Sequence, residues 1–130
     1  MADHPNADVV RRGYEAFSAG DMNALAEVMD ENVLWHVPGN NQLSGDYKGR
    51  DDTFAYYGKL AELTGGTFKV ELHDILANDE HTVGMHRDTA TRDGKSLDTN
   101  EILVFHIRDG KIVEGWEAYI DLATVDEFWS

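Results

Sequence analysis

Along residues 6–19, Val9, Val10, Tyr14 and Phe17 recur at the spacing of one helix face, and Gly20 supplies a natural stop. Asp21 is placed to cap a short second helix carrying Met22, Leu25, Ala26, Val28 and Met29. The apolar run at 33–37, closed by Pro38-Gly39, predicts a strand, and the polar, glycine-containing stretch 40–49 predicts a loop. Asp51 or Asp52 can cap a third helix through Phe54, Tyr57, Leu60, Ala61 and Leu63, ended by Gly65-Gly66. Thereafter the pattern turns to strands over 67–77, 81–91, 97–108 and 111–120, broken at Asn78-Asp79-Glu80, Arg92-Asp93-Gly94 and Asp109-Gly110. Both Asp-Gly pairs are strong hairpin signals. Three helices and an early strand followed by hairpin-linked strands predict an α+β domain, with the helices on one face of a curved antiparallel sheet. Such a sheet encloses a cone whose open end suits a small apolar ligand.

The 130 residues, 42% of them hydrophobic, suffice for a single domain over 1–130 with one core. Lys+Arg 11 against Asp+Glu 25 gives a net charge of -14, which repels nucleic acid and anionic membranes. The acids are scattered, as on a solvated acidic surface. Zero cysteines exclude disulfides and thiolate chemistry, and fit a reducing compartment. With a polar N-terminal stretch and no long apolar run, the expectation is a cytoplasmic protein with no membrane partner. Walker, dinucleotide and Gly-x-Ser-x-Gly signatures are absent, so no cofactor and no covalent serine chemistry are expected.

Candidate chemistry centres on the last strand, where Trp116 and Tyr119 precede Asp121. An aspartate in such an apolar wall holds its proton more tightly and becomes a general acid or base; the alternative is a solvated acid at a strand end. Alternation along 97–108 groups Glu101 with Thr99, Leu103, Phe105 and Ile107, which turns Glu101 inward as a further candidate acid, the alternative being an ion pair across the sheet with Arg87 or Arg92. Tyr14, Phe17, Trp35, Tyr57 and Trp116 imply an aromatic interior and a flat or hydrophobic ligand. The Phe128-Trp129 pair is expected to cover the pocket mouth or a neighbouring subunit.

The Phe17-Ser18-Ala19-Gly20-Asp21 junction, Trp35 to Gly39, Gly45 to Arg50, and Arg108-Asp109-Gly110-Lys111 leading to Trp116 and Asp121 resemble the SnoaL-like branch of the NTF2-like superfamily. That resemblance implies a cone of three N-terminal helices on a curved sheet, and a homodimer paired through the outer sheet face. The fold hosts enzymes and binding proteins alike. Where the similar ketosteroid isomerases place their catalytic groups, this chain has Gly13, Val37 and Leu103, so steroid isomerisation is discarded. Polyketide cyclases resembling this chain use an aspartate at the place of Asp121. Limonene epoxide hydrolases share the Trp-x-x-Tyr-x-Asp ending and pair it with an Arg-x-Asp, which here reads His86-Arg87-Asp88. Their strand-one water ligands correspond to Leu34 and His36, of which His36 can still hold water or ligand. By resemblance, then, Asp121, His86 and Asp88 are candidate catalytic residues. His36, Trp35, Tyr14, Phe17, Tyr57, Glu101, Trp116 and Tyr119 are candidates for binding. No metal site is expected, because nothing in the spacing of His86-x-Asp88 and His73 or His106 fixes a ligand set. The expected function is a cyclase, isomerase or hydrolase acting on a hydrophobic metabolite, or a carrier with the same pocket.

Overall fold

A computed structural model describes residues 4–130. The elements run α1 (Pro5–Ala19), α2 (Met22–Val28), β1 (Met29–Val37), β2 (Gly45–Lys48), α3 (Arg50–Leu63), β3 (Lys69–Ala77), β4 (Thr82–Arg92), β5 (Lys95–Arg108), β6 (Lys111–Tyr119) and α4 (Leu122–Phe128). One six-stranded sheet has the order β2-β1-β6-β5-β4-β3. Only β1 and β6 pair in parallel; every other neighbouring pair is antiparallel. This return of the last strand to the first lets the early helices lie across one face, α1 against β3 and β4, α3 against β1 and β2. The architecture is thus the α+β cone expected, with a fourth helix added at the C-terminal end.

The hairpins form where the Asp-Gly pairs stand. Asp93 and Gly94 have φ of 50° and 77°, and Asp109 and Gly110 have 52° and 75°, the double positive φ that a type I′ turn requires. Helix α1 ends at Gly20, and Asp21 caps α2 by accepting from the Ala24 N–H at 3.0 Å. The third helix is capped differently from the expectation: it begins at Arg50 after Gly49, with no side-chain cap. Asp51 and Asp52 sit in its first turn, where their charge complements the helix dipole.

Two segments depart from the sequence pattern. The 40–49 loop contains β2, whose Gly45 to Lys48 pair with Val37 to Leu34. It is an edge strand, largely exposed, so no apolar alternation marks it. The C-terminal residues form α4, and Phe128 and Trp129, 1% and 3% exposed, bury in this chain's own core rather than awaiting a second subunit. Arg92 donates to the Phe128 and Ser130 carbonyls, and Lys95 to the Glu127 carbonyl, which fastens α4 to the β4–β5 hairpin. Among the described residues, no helix is long and apolar enough to cross a membrane.

Candidate functional site

Strand parity decides which side chains enter the cone. On β4 the inward, buried series includes His86, Asp88 and Ala90; on β5 it is Leu97, Thr99, Glu101, Leu103 and Phe105. On β6 it is Gly115, Glu117 and, partly buried, Tyr119. Register sets His86 opposite Glu101, Glu101 opposite Tyr119, and Leu103 opposite Glu117, so the polar groups of three adjacent strands share one patch. Trp35 reaches the same space from β1, Tyr14 and Phe17 from α1, and Tyr56 and Tyr57 from α3. Together they line a cavity of about 70 Å³ whose remaining wall is aromatic and aliphatic. By the share one water needs, that volume holds roughly five water-sized groups, so the ligand this partly open cavity admits without rearrangement is small.

Two linked polar clusters occupy the wall. The Tyr14 hydroxyl lies 2.7 Å from His86 Nδ1, while His86 Nε2 lies 2.8 Å from Glu101 Oε1 and 2.9 Å from Asp88 Oδ1. With the proton on Nε2, Tyr14 donates to Nδ1 and the imidazole serves the carboxyl side. In the second cluster the Glu117 carboxylate accepts from Trp35 Nε1 at 2.7 Å, from the Tyr56 hydroxyl at 2.8 and 3.0 Å, and from the Tyr119 hydroxyl at 3.0 Å. Both Asp88 oxygens and Glu101 Oε2 are buried without a hydrogen-bond partner.

The two glutamates are pushed apart in proton affinity. Burial lifts the Glu101 pKa well above the ordinary carboxyl value, and the neighbouring charges of Glu117 and Asp88 lift it further. Burial also raises Glu117, but hydrogen bonding from Glu101, Trp35, Tyr56 and Tyr119 holds it back. Glu101 Oε2 completes no hydrogen bond of ordinary geometry, so we assign the restraint on Glu117 mainly to the indole and the two phenols. Burial raises the Tyr14, Tyr56, Tyr57 and Tyr119 pKa values too, so these phenols stay protonated and act as donors. Both carboxyls hold their protons more tightly than a free acid and Glu101 the more strongly, which makes Glu101 the acid of the pair and Glu117 the base.

His86, Asp88, Glu101, Tyr14, Phe17, Trp35, Tyr57 and Tyr119 meet in this cavity. Three other candidates do not. Asp121 is exposed and caps α4: the Thr124 hydroxyl donates to Oδ2 at 2.7 Å and the Thr124 N–H to Oδ1 at 3.2 Å. Those bonds lower its pKa, the reverse of the expected desolvation. Its parity matches that of Glu117 and Tyr119, but β6 stops at Tyr119 and the chain turns away before reaching it. Trp116 lies on the opposite face from Tyr119, since residues three apart on a strand cannot share one. His36 is likewise turned out beside inward Trp35, stacked on Trp116 at 5.4 Å and 2.7 Å from each of Asp46 Oδ1 and Glu114 Oε2. Burial opposes charge on His36, but those two acceptors outweigh it and raise its pKa.

Glu117 and Tyr56 were missing from the candidates. Parity could have found Glu117, two residues before Tyr119 on the same face. Replacing Asp121 by Ala is expected to cost about 1 kcal/mol through the lost cap and to leave Glu101 titration unchanged. Urea unfolding and carboxyl NMR check both; a displaced Glu101 titration would return Asp121 to the site.

His86, Asp88 and Glu101 each offer a ligand atom within 4.8 Å of the others, a donor set that borderline divalent cations accept. The 2.8 and 2.9 Å separations are hydrogen-bond distances, so a cation there would have to displace the proton His86 Nε2 shares with the acids.

Residues 10–115 match the family described as SnoaL-like domain. An uncharacterised protein of Mycobacterium tuberculosis is 35% identical over 131 residues, covering 100% of both chains. Among solved structures, Bal32a from a soil-derived mobile gene cassette superposes with a TM-score of 0.94 at 46% identity, covering 97% of each chain. An NTF2-like protein of unknown function from Burkholderia pseudomallei gives a TM-score of 0.85 at 20% identity, covering 98% of each, which speaks to the fold alone.

Proposed function

We propose that this chain, which belongs to the SnoaL-like domain family, is an acid–base enzyme that moves a proton within a small molecule held in the interior cavity. The observation that carries this reading is the Glu101 and Glu117 pair, buried in one aromatic cavity with environments that separate their proton affinities. Glu101 donates its proton to a substrate oxygen as charge develops there, and Glu117 takes one from a neighbouring carbon. The two carboxyls then re-equilibrate the proton between them, which closes the cycle with no change in proton count. Tyr14 and His86 orient Glu101, and Trp35, Tyr56 and Tyr119 orient Glu117. Isomerisation and aldol-type ring closure both fit such a step.

Carboxyl-carbon NMR titration tests the assignment without knowledge of the substrate, with Glu101→Gln and Glu117→Gln identifying the signals. Glu101 is expected to titrate well above the reference of about 4.3 and above Glu117. Two signals near that reference would defeat the proposal. On any substrate that is turned over, either substitution should lower kcat about 10²- to 10⁴-fold. A second reading, ligand binding without chemistry, is favoured by the near-complete hydrogen bonding of Glu117, which also suits a structural polar cluster. Burial holds the Glu101 proton under that reading too, so the absence of any turnover for Glu101→Gln to lower is what marks it.

A further inference from the structure

The cavity wall holds three carboxyl groups, Asp88, Glu101 and Glu117, and among the described residues no lysine or arginine lines it. Glu117 is served by its own donors. Asp88 is not: it is 0% exposed, it lines the cavity, and neither oxygen accepts a hydrogen bond, although Oδ1 comes within 2.9 Å of His86 Nε2. Glu101 Oε2, from the facing strand, also lacks a partner, but Oε1 faces His86 Nε2, so in the protonated acid Oε2 is the hydroxyl and not a further acceptor. A buried acceptor left without a donor costs about 1 to 3 kcal/mol, and more when charged, so the arrangement is unstable unless something completes it. Histidine cannot serve all of them, because its one Nε2 proton already lies between Glu101 Oε1 and Asp88 Oδ1. The surrounding faces of Tyr14, Tyr57 and Trp35 are electron-rich and attract cations rather than anions.

We propose that the ligand of this cavity carries a protonated amine, its N–H groups donating to the two Asp88 oxygens while its carbon part packs against the aromatic wall. A primary ammonium can donate to both Asp88 oxygens at once, and its positive charge offsets the excess of buried carboxyls. This inference rests on the cavity being the ligand site and names the substrate class for the acid–base reading. Cation selectivity follows from Asp88, whereas the proton-transfer pair is Glu101 and Glu117, so the two claims fail separately.

Probes that match the small volume are isobutylammonium, isobutanol and tetramethylammonium, each with five non-hydrogen atoms, followed by chemical-shift perturbation of the intact protein at neutral pH. Isobutylammonium is expected to bind about tenfold or more tightly than isobutanol, the margin of a charge-assisted hydrogen bond over a neutral contact. Tetramethylammonium, charged but without N–H groups, should fall between them or fail to bind. Asp88→Asn should remove the preference for isobutylammonium while leaving isobutanol binding intact. Because that variant could fold poorly, the wild-type ranking stands as the primary result. Equal affinity for the amine and the alcohol, or no binding of the amine, overturns the inference, and a high Glu101 titration alongside either leaves the acid–base reading standing. Manganese ion displacing isobutylammonium, with an affinity that Asp88→Asn abolishes and a wild-type amine preference absent, would identify the cluster as a metal site and also overturn it.

Discussion

Replacing Gly115 by alanine is expected to be among the most damaging single-methyl changes in this protein, at about 3 kcal/mol or more. Gly115 lies on the inward face of β6, directly across from Trp35 of β1 in the parallel register and from Phe105 of β5 on its other side. The indole fills the space a side chain would occupy: an added Cβ would come within 2.6 Å of Trp35 Cε3, and nearer still to Cζ3. Neither neighbour has room to yield, because Trp35 is 3% exposed and wedged between Tyr57 and Phe105 at ring separations of 5.6 and 5.9 Å. Overpacking of this kind costs about 1 to 3 kcal/mol. A displaced indole also withdraws the Nε1 donor from Glu117, leaving a buried carboxylate short of a partner, which adds about 1 to 3 kcal/mol. Gly58→Ala provides the contrast: that residue is exposed within α3, nothing lies near its added Cβ, and the change should stabilise by roughly 0.5 to 1 kcal/mol. Urea unfolding with an unchanged slope reads both. A Gly115→Ala loss below about 1 kcal/mol would mean that the indole does not occupy the cleft.

The same strand illustrates how far the chain's pattern could be read. The hairpins were legible because Asp93-Gly94 and Asp109-Gly110 offer the backbone little else than the turn they form. With those turns placed, parity follows, and Glu101 could be assigned to the inner face from its apolar neighbours Leu103 and Phe105. Parity, applied consistently, also separates Trp116 from Tyr119 and His36 from Trp35, pairs that aromatic content and resemblance had grouped together. What parity cannot show is where pairing ends. Asp121 has the right phase, but Leu122, Val125 and Phe128 recur at helical spacing after it, and a helix start with an aspartate cap ends the strand at Tyr119. Strand β2 was hidden for the opposite reason: a four-residue edge strand exposed except at Tyr47 carries no alternation to detect. The distances from Tyr14 to His86 and from Tyr56 to Glu117 depend on the crossing of helix over sheet, which no local pattern records.

Substituting glutamine for the two buried glutamates is expected to move stability in opposite directions at neutral pH, and the sign follows from which carboxyl keeps its proton. For Glu101 the folded pKa is raised above the unfolded value of about 4.3, so the folded state binds the proton more tightly. Its contribution is complete below that unfolded value and is lost as pH rises toward the folded one, at about 1.4 kcal/mol for each unit of separation. Glutamine is the neutral isostere of the form that Glu101 already prefers, and it does not ionise in the unfolded chain. Glu101→Gln should therefore stabilise at neutral pH, relative to wild type, and lose this advantage near pH 4, where both chains are neutral at that position. The formal net charge of -14 also makes the wild type less stable as pH rises, but both proteins share that repulsion and the difference removes it. Glu117 responds differently because Trp35, Tyr56 and Tyr119 all donate to it, and between them they use both oxygens. A glutamine presents one acceptor and an NH₂ that opposes a facing donor, so Glu117→Gln should destabilise by about 1 to 3 kcal/mol. Urea unfolding of the three proteins from acid to neutral pH measures the pattern. Destabilisation by the change at 101 together with indifference to the change at 117 would exchange their roles, making Glu117 the acid and Glu101 the base.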